Sequence, residues 1–344
     1  MSPSSLAAES ALGQLSAVVD CELRRLFEAL PSGAFLDLMQ YHLGWKDERL
    51  EDVRGWTGKR VRSAMCLLAC QATSGDYRKA LPAATGIELL HNFTLIHDDI
   101  EDGDPMRRNR PAVWTLWGIP QAMNVGDGMH SLAKIALADD AGGRVSPTEL
   151  VLLSKLVDEA SLRLCEGQHL DLLYQGIWDV SVEQYLDMVG KKSAALISCS
   201  VHCGAMLGTS DGTIQERYRD FGELIGLAFQ IRDDVLAIWG REALTGKPCG
   251  DLTKRKKTLP LIYARQQLDP AGRDRLQQLL GAGCAGQETD VHELLERTGA
   301  KRWAVARAAD YRDRALAALD ATGIRNESQE ALRTIAGFLI DREY

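Results

Sequence analysis

The sequence predicts an all-α fold, and three observations carry that prediction. Apolar residues recur at three-to-four-residue spacing rather than in strict alternation. Helix starts of the form Ser/Thr-x-x-Glu/Gln recur along the chain. No Asn-Gly or Asp-Gly hairpin stands between alternating strands. With 45% hydrophobic and 26% charged residues among 344, the composition is that of a globular protein rather than a disordered one.

The elements follow in order. Met1 to Phe27 carries Glu9, Asp20 and Glu22 and lacks the basic-then-apolar order of a secretory signal. No apolar run approaches the ~18–20 residues of a membrane span, so a soluble, cytoplasmic protein without a transmembrane segment is expected. Gly86 to Ile96 reads as a buried helix. Ser146-Pro147-Thr148-Glu149 combines an N-cap, a first-position Pro and a capping-box Glu. Ser181-Val182-Glu183-Gln184 and Thr213-Ile214-Gln215-Glu216 read as further capping boxes, and Phe221 to Ala228 as another buried helix. Asp102-Gly103 and Asp127-Gly128 read as interruptions. Breaks are expected near 43–57, 73–79, 103–112, 139–147, 208–213, 240–257 and 281–289. Length alone would suggest two domains, but there is no repeat and no Pro/Ser-rich linker. The prediction is one domain over 1–344 with about ten or more helices.

Eight cysteines are too few for a disulfide scaffold. Cys66 with Cys70, and Cys199 with Cys203, lie at helical spacing among Ala, Leu and Ile, and read as reduced core residues rather than zinc ligands. A net charge of −8 argues against a nucleic-acid partner held by bulk charge.

The chemistry lies in two acidic clusters. In His97-Asp98-Asp99-Ile100-Glu101-Asp102, Asp98 and Asp102 share a helix face, where like charges repel and call for a counter-charge. Carboxylates are hard ligands, and Mg²⁺ is commonly held by one or two of them together with substrate phosphates. Phe229-Gln230-Ile231-Arg232-Asp233-Asp234 repeats the pattern about 135 residues later, and two such pairs could face each other across a bundle. Basic residues accompany both: Arg107 and Arg108 follow the first, Lys247 and Lys254 to Lys257 follow the second, and Lys59, Arg60, Arg62, Lys191 and Lys192 are further candidates. Carboxylates, a metal and cationic clamps suit a phosphate or diphosphate substrate.

In order and spacing from about residue 50 to 262, these residues resemble the trans-isoprenyl diphosphate synthases, or polyprenyl synthetases. The matching pieces are Gly58-Lys59-Arg60-Val61-Arg62, Glu88 to His91, Asp98-Asp99-x-x-Asp102, Arg107 to Pro111 and Gly167-Gln168-x-x-Asp171. They continue through Lys192-Ser193, Phe229-Gln230-x-x-Asp233-Asp234, Thr245 to Pro248 and Asp251 to Pro260. The resemblance implies a helical bundle around a deep central cavity, a homodimer, and condensation of isopentenyl diphosphate with an allylic diphosphate. It implies that Asp98, Asp102 and Asp233 ligate three Mg²⁺, with Asp99 and Asp234 supporting. Arg107, Lys192, Ser193, Gln230, Lys247 and Lys257 would hold the allylic substrate, and Lys59, Arg62, His91 and Arg108 the isopentenyl diphosphate.

Three departures from the family pattern stand out: Ala237 in place of a third Asp, Thr57 in place of a Gly and Ser63 in place of a Pro. Product length in the family depends on bulk before the first cluster. Phe93 lies ~7.5 Å along the helix before Asp98 and would cap the tail, with Thr94 leaving room, which favours fifteen- to twenty-carbon products and leans to geranylgeranyl diphosphate. A terpene cyclase on the same fold would not need the second basic site. A metal-dependent phosphohydrolase would need further His ligands. A non-catalytic partner subunit should have lost its aspartates.

Overall fold

The computed structural model of the protein describes residues 3–53, 58–139, 142–240, 256–281 and 288–340, and they are nearly all helical. In chain order the helices are α1 (Pro3–Glu28), α2 (Ala34–His42), α3 (Val61–Ser74), α4 (Leu81–Glu101), α5 (Val113–Trp117), α6 (Ile119–Ala138) and α7 (Pro147–Gln175). They continue with α8 (Val182–Val189), a π-turn (Gly190–Ala194), α9 (Ala195–Gly208), α10 (Gly212–Trp239), α11 (Leu259–Gln267), α12 (Pro270–Gly281), α13 (Glu288–Thr298), α14 (Ala300–Asp320) and α15 (Glu327–Ile340).

Two of the expected capping boxes form. Glu149 N donates to Ser146 Oγ at 3.3 Å while Ser146 N donates to Glu149 Oε2 at 2.9 Å, and Ser181 and Gln184 exchange the same bonds. The third does not. α10 starts one residue before Thr213, and Asp211 Oδ1 accepts from Thr213 N at 2.8 Å and Ile214 N at 3.3 Å. An Asp two residues earlier satisfies the first-turn N–H groups that Thr213 would have capped.

Asp127-Gly128 does not interrupt its helix either: α6 runs straight through it. Gly128 is there for close packing, since a Cβ would lie 2.2 Å from Met39 Cε. The predicted break at 103–112 contains a short antiparallel hairpin, β1 (Met106–Arg107) with β2 (Arg110–Pro111). Its two-residue turn places both Arg108 (φ 53) and Asn109 (φ 61) in the left-handed region, as a type I′ turn requires. Asn tolerates this; Arg is unusual there, which hid the hairpin from a search for Asn-Gly or Asp-Gly.

The residues group into two compact units: 1–158 with 199–215 and 324–332, and 159–198 with 216–323 and 333–344. The core of the first includes Val19 and Leu23 of α1, Met65 and Leu67 of α3, Ile87 and Leu89 of α4, and Val125 and Met129 of α6. Cys66, Cys70, Cys199 and Cys203 are all buried, and burial pushes the Cys66 thiol well up and the Cys70 thiol up to about 11, which keeps both protonated. The core of the second includes Tyr218, Phe221 and Ile225 of α10, together with a cluster from α11, α12 and α13 built on Leu261, Leu279, Val291 and Leu295. Among the described residues no helix is long and apolar enough to cross a membrane.

Candidate active site

In the first unit, α4 ends on the first acidic cluster, with Asp102 as its C-cap. Asp98 and Asp102 are half-buried, whereas Asp99 is buried, so the three carboxylates divide into two roles. Asp99 Oδ1 accepts from Arg107 Nε at 2.8 Å and also from Arg107 Nη2. Burial would lower the Arg107 pKa, but the hydrogen bond and charge of Asp99 raise it. The hairpin is held by its surroundings: Tyr41 Oη donates to Pro111 O at 2.7 Å, Arg110 Nη2 to Lys46 O at 2.6 Å and Trp114 Nε1 to Asp104 O at 2.8 Å. Arg107 is thereby turned to the aspartates and Arg108, next along the turn, to a different place.

That place is a pocket of about 540 Å³, including its mouth, lined by Gly58, Lys59, Arg60, Val61, Arg62, Glu88, His91 and Arg108. All four residues assigned by resemblance to one diphosphate, Lys59, Arg62, His91 and Arg108, meet here. Arg62 Nη1 lies 3.2 Å from His91 Nε2. A guanidinium only donates, so Nε2 accepts and His91 carries its proton on Nδ1. Burial, and then Arg62 and Arg108, hold the His91 pKa well below the usual histidine range, so the ring is neutral. Burial and the neighbouring Arg60 also lower the Arg108 pKa. Packing cations together in this way stores an attraction for a polyanion that a solvated surface lacks.

Sequence reasoning had not assigned roles to two residues beneath the pocket. Arg60, in the left-handed region (φ 44) at the start of α3, is buried and donates to Glu88 Oε1 at 2.8 Å. Its Nη2 lies 2.9 Å from Asp20 Oδ1. Glu88 also accepts from Ser63 Oγ at 2.8 Å and Asn92 Nδ2 at 3.0 Å. Burial alone would raise the Glu88 pKa, but Arg60 and the Ser63 hydrogen bond bring it below the usual range. Ser63, which stands where a Pro is usual, therefore has a hydroxyl with work to do. Both residues lie inside the Gly58–Arg62 and Glu88–His91 motifs, and a Glu among the apolar positions of a buried helix is the signal the sequence offers.

In the second unit, Lys192 and Ser193 lie in the π-turn. Lys192 Nζ sits 2.5 Å from Asp171 Oδ2, with Asp171 buried. Gly167 permits this, because a Cβ there would meet the Lys192 backbone N at 2.2 Å. The Gly167-x-x-x-Asp171 spacing is thus one contact, a backbone approach followed by an ion pair. Ser193 Oγ is 2.7 Å from Gln230 Oε1, and Gln230 Nε2 donates to Asp234 Oδ1 at 3.3 Å. Asp234 Oδ2 accepts from Leu259 N at 2.7 Å and from Tyr185 Oη. Asp233 is half-buried on α10, with Ala237 one turn beyond it adding no carboxylate. Lys257 precedes α11 and lies 5.6 Å from the centre of the Trp178 ring. Lys247 and Thr57 lie outside the described residues.

Phe93 packs edge-on to His97 (ring centroids 4.8 Å) and against His130 (5.1 Å), while Thr94 is buried with its hydroxyl donating to His91 O at 2.8 Å. Among the described residues no group of three His, Cys, Asp or Glu side chains could hold an ion unaided. Two half-buried carboxylates one helical turn apart still fit Mg²⁺, which takes its remaining ligands from water and phosphate.

Such a pairing of hard carboxylates with a cationic pocket on an all-helical frame defines a diphosphate-handling enzyme. The polyprenyl synthetase family model matches residues 45–298, and the chain belongs to that family; its activity is that of a prenyltransferase. The (2E,6E)-farnesyl diphosphate synthase of Mycobacterium tuberculosis is 37% identical over 312 residues, 89% of this chain and 86% of that one. The geranylgeranyl diphosphate synthase of the same organism is 39% identical over 252 residues, covering 73% and 71%. Among solved structures, a polyprenyl synthetase from Streptomyces coelicolor aligns with a TM-score of 0.87 at 32% identity, covering 96% of this chain and 99% of that one. A polyprenyl synthase from Caulobacter crescentus, complexed with calcium and isoprenyl diphosphate, aligns with a TM-score of 0.82 at 27% identity, covering 97% and 98%.

Proposed function

We propose that this protein condenses isopentenyl diphosphate head-to-tail with an allylic diphosphate, releasing diphosphate and a short-chain product of fifteen to twenty carbons, with geranylgeranyl diphosphate favoured. The observation that carries the reading is the pocket that Lys59, Arg62, His91 and Arg108 line, a cationic place for a second diphosphate apart from the aspartates. A cyclase ionises one diphosphate and has no use for it.

In this reading Lys59, Arg62 and Arg108 hold the isopentenyl diphosphate by charge, and neutral His91 donates from Nδ1. Asp98, Asp102 and Asp233 would hold Mg²⁺, three ions by family pattern, with Asp99 and Asp234 supporting from behind. Bound there, Mg²⁺ supplies charge stabilisation to the leaving diphosphate. Arg107, Lys192, Ser193, Gln230, Lys247 and Lys257 hold that same diphosphate. Cations fixed in advance stabilise the charge that grows as the allylic C–O bond breaks, more than they stabilise the ground state. The isopentenyl double bond attacks the allylic carbon, and the proton then lost passes to the departed diphosphate. Apolar walls must keep water from the cation.

A homodimer is part of the proposal, supported by the apolar residues left in solvent on α6 and α7, among them Ile119, Ile135, Val151 and Leu162. Asp98→Ala tests the reading: turnover should disappear while the circular dichroism spectrum is kept, and near-normal turnover would sink it.

A further inference from the structure

Asp234 is held through both of its oxygens. It is 5% exposed, and both its oxygens are occupied by protein donors from three elements: Gln230 within α10, Tyr185 on α8 and the first N–H of α11 at Leu259. Tyr185 is 1% exposed and its hydroxyl has this carboxylate as its partner. The helix it serves has lost its ordinary cap. Thr258 stands at the N-cap of α11, but its side chain makes no cap hydrogen bond, and among the described residues its buried Oγ1 has no partner. A carboxylate at a helix N-terminus takes up an orphan N–H and opposes the positive end of the dipole. Asp234, reaching across from α10, does for α11 what Thr258 does not.

Lys257 is the residue just before that cap. Its backbone position is therefore set by where the start of α11 is pinned, hence by Asp234 and by the Tyr185 hydroxyl that holds Asp234 in its rotamer. The same carboxylate, through Gln230, reaches Ser193 beside Lys192.

We propose that Tyr185 is a positioning residue for prenyl transfer, acting through Asp234 to place Lys257 against the allylic diphosphate. The inference rests on the reading of Lys257 as a ligand of that diphosphate. Nothing in the sequence marks Tyr185, which lies seven residues before Lys192 outside every motif.

A double-mutant cycle with Tyr185→Phe and Lys257→Ala tests it, read as KM for geranyl diphosphate, KM for isopentenyl diphosphate and kcat. Tyr185→Phe is expected to raise the KM for geranyl diphosphate about tenfold, the size of one hydrogen bond to a carboxylate. The KM for isopentenyl diphosphate should stay unchanged. In the Lys257→Ala background the same substitution should change the geranyl KM by less than about twofold, because its effect has already been spent. A general loss of structure would instead move both KM values and persist in that background. Additive effects in the cycle, or a Tyr185→Phe enzyme with an unchanged geranyl KM, would overturn the positioning role while leaving the ligand reading of Lys257 intact. A Lys257→Ala enzyme with an unchanged geranyl KM would overturn both. If Tyr185→Phe does not fold, Tyr185→Met, whose flexible side chain fills the space without a hydroxyl, enters the cycle with the same expected and contrary results.

Discussion

The guanidinium of Arg60 donates to the carboxylate of Glu88 at 2.8 Å, with side-chain exposures of 0% and 2%. It is the floor beneath the cationic pocket, and it explains how Lys59, Arg62 and Arg108 can be crowded together. Glu88 and Asp20 both pair with Arg60, so its charge is compensated beneath the pocket. Removing one partner of a buried pair leaves a desolvated charge, which commonly costs about 3–5 kcal/mol. Glu88→Ala should lower unfolding stability by that order in urea titration and weaken isopentenyl diphosphate binding. A loss below about 1 kcal/mol would mean that Asp20 alone satisfies Arg60.

Stability should fall on mild acidification, and the sign follows from buried His42 and half-buried His91. Burial, and then nearby arginines, hold His42 and His91 well below the ordinary 6.5. Above 6.5 both are neutral whether the chain is folded or not. Below it the unfolded chain takes up protons that the folded one refuses, so stability present above 6.5 is lost as pH falls toward the folded pKa values. The slope reaches about 1.4 kcal/mol per pH unit for each ring. Thermal melts from pH 7.5 to 5.5 should show a falling midpoint, less steep in His91→Gln; a midpoint that rises would contradict the assignment.

Gly167→Ala should cost more than a surface substitution, because its Cβ would meet the Lys192 backbone N at 2.2 Å. Overpacking of this kind typically costs about 1–3 kcal/mol. Here the backbone that must move carries Lys192 and Ser193. A loss of kcat/KM for the allylic substrate well beyond the drop in thermal midpoint is expected, and unaltered kinetics would show that the π-turn tolerates the shift.

Phe93→Ala should lengthen the product by one or more five-carbon units. The ring now rests against His97 and His130, and truncating it would vacate the volume of a branched C5 unit. Chromatography of the dephosphorylated products reads this directly; an unchanged profile would mean that Phe93 is a packing residue only.

Much of this was legible in the chain because the chemistry is local. Asp98 and Asp102 are one helical turn apart, so spacing alone puts that pair on one face, whereas Lys59 lies before α3 and is separated from Arg62 by the left-handed Arg60. The Ser146 and Ser181 helix starts were visible for the same reason. What escaped depended on partners distant in sequence or on unusual backbone. The Arg108-Asn109 turn puts an Arg in the left-handed region where Asn or Asp is usual. Asp211 displaces Thr213 as a cap by simple proximity. Arg107 meets Asp99 through that hairpin, and Asp234 caps α11 from another helix. Tyr185, 49 residues from Asp234, is indistinguishable in sequence from an ordinary core aromatic.

The most direct test is the product profile of the purified protein with Mg²⁺ and isopentenyl diphosphate, by mass spectrometry. Dimethylallyl, geranyl and farnesyl diphosphates would be offered separately. The account predicts diphosphates longer than each starter by whole C5 units, ending at fifteen to twenty carbons. A cyclic hydrocarbon formed without isopentenyl diphosphate, or no product from any starter, would contradict it.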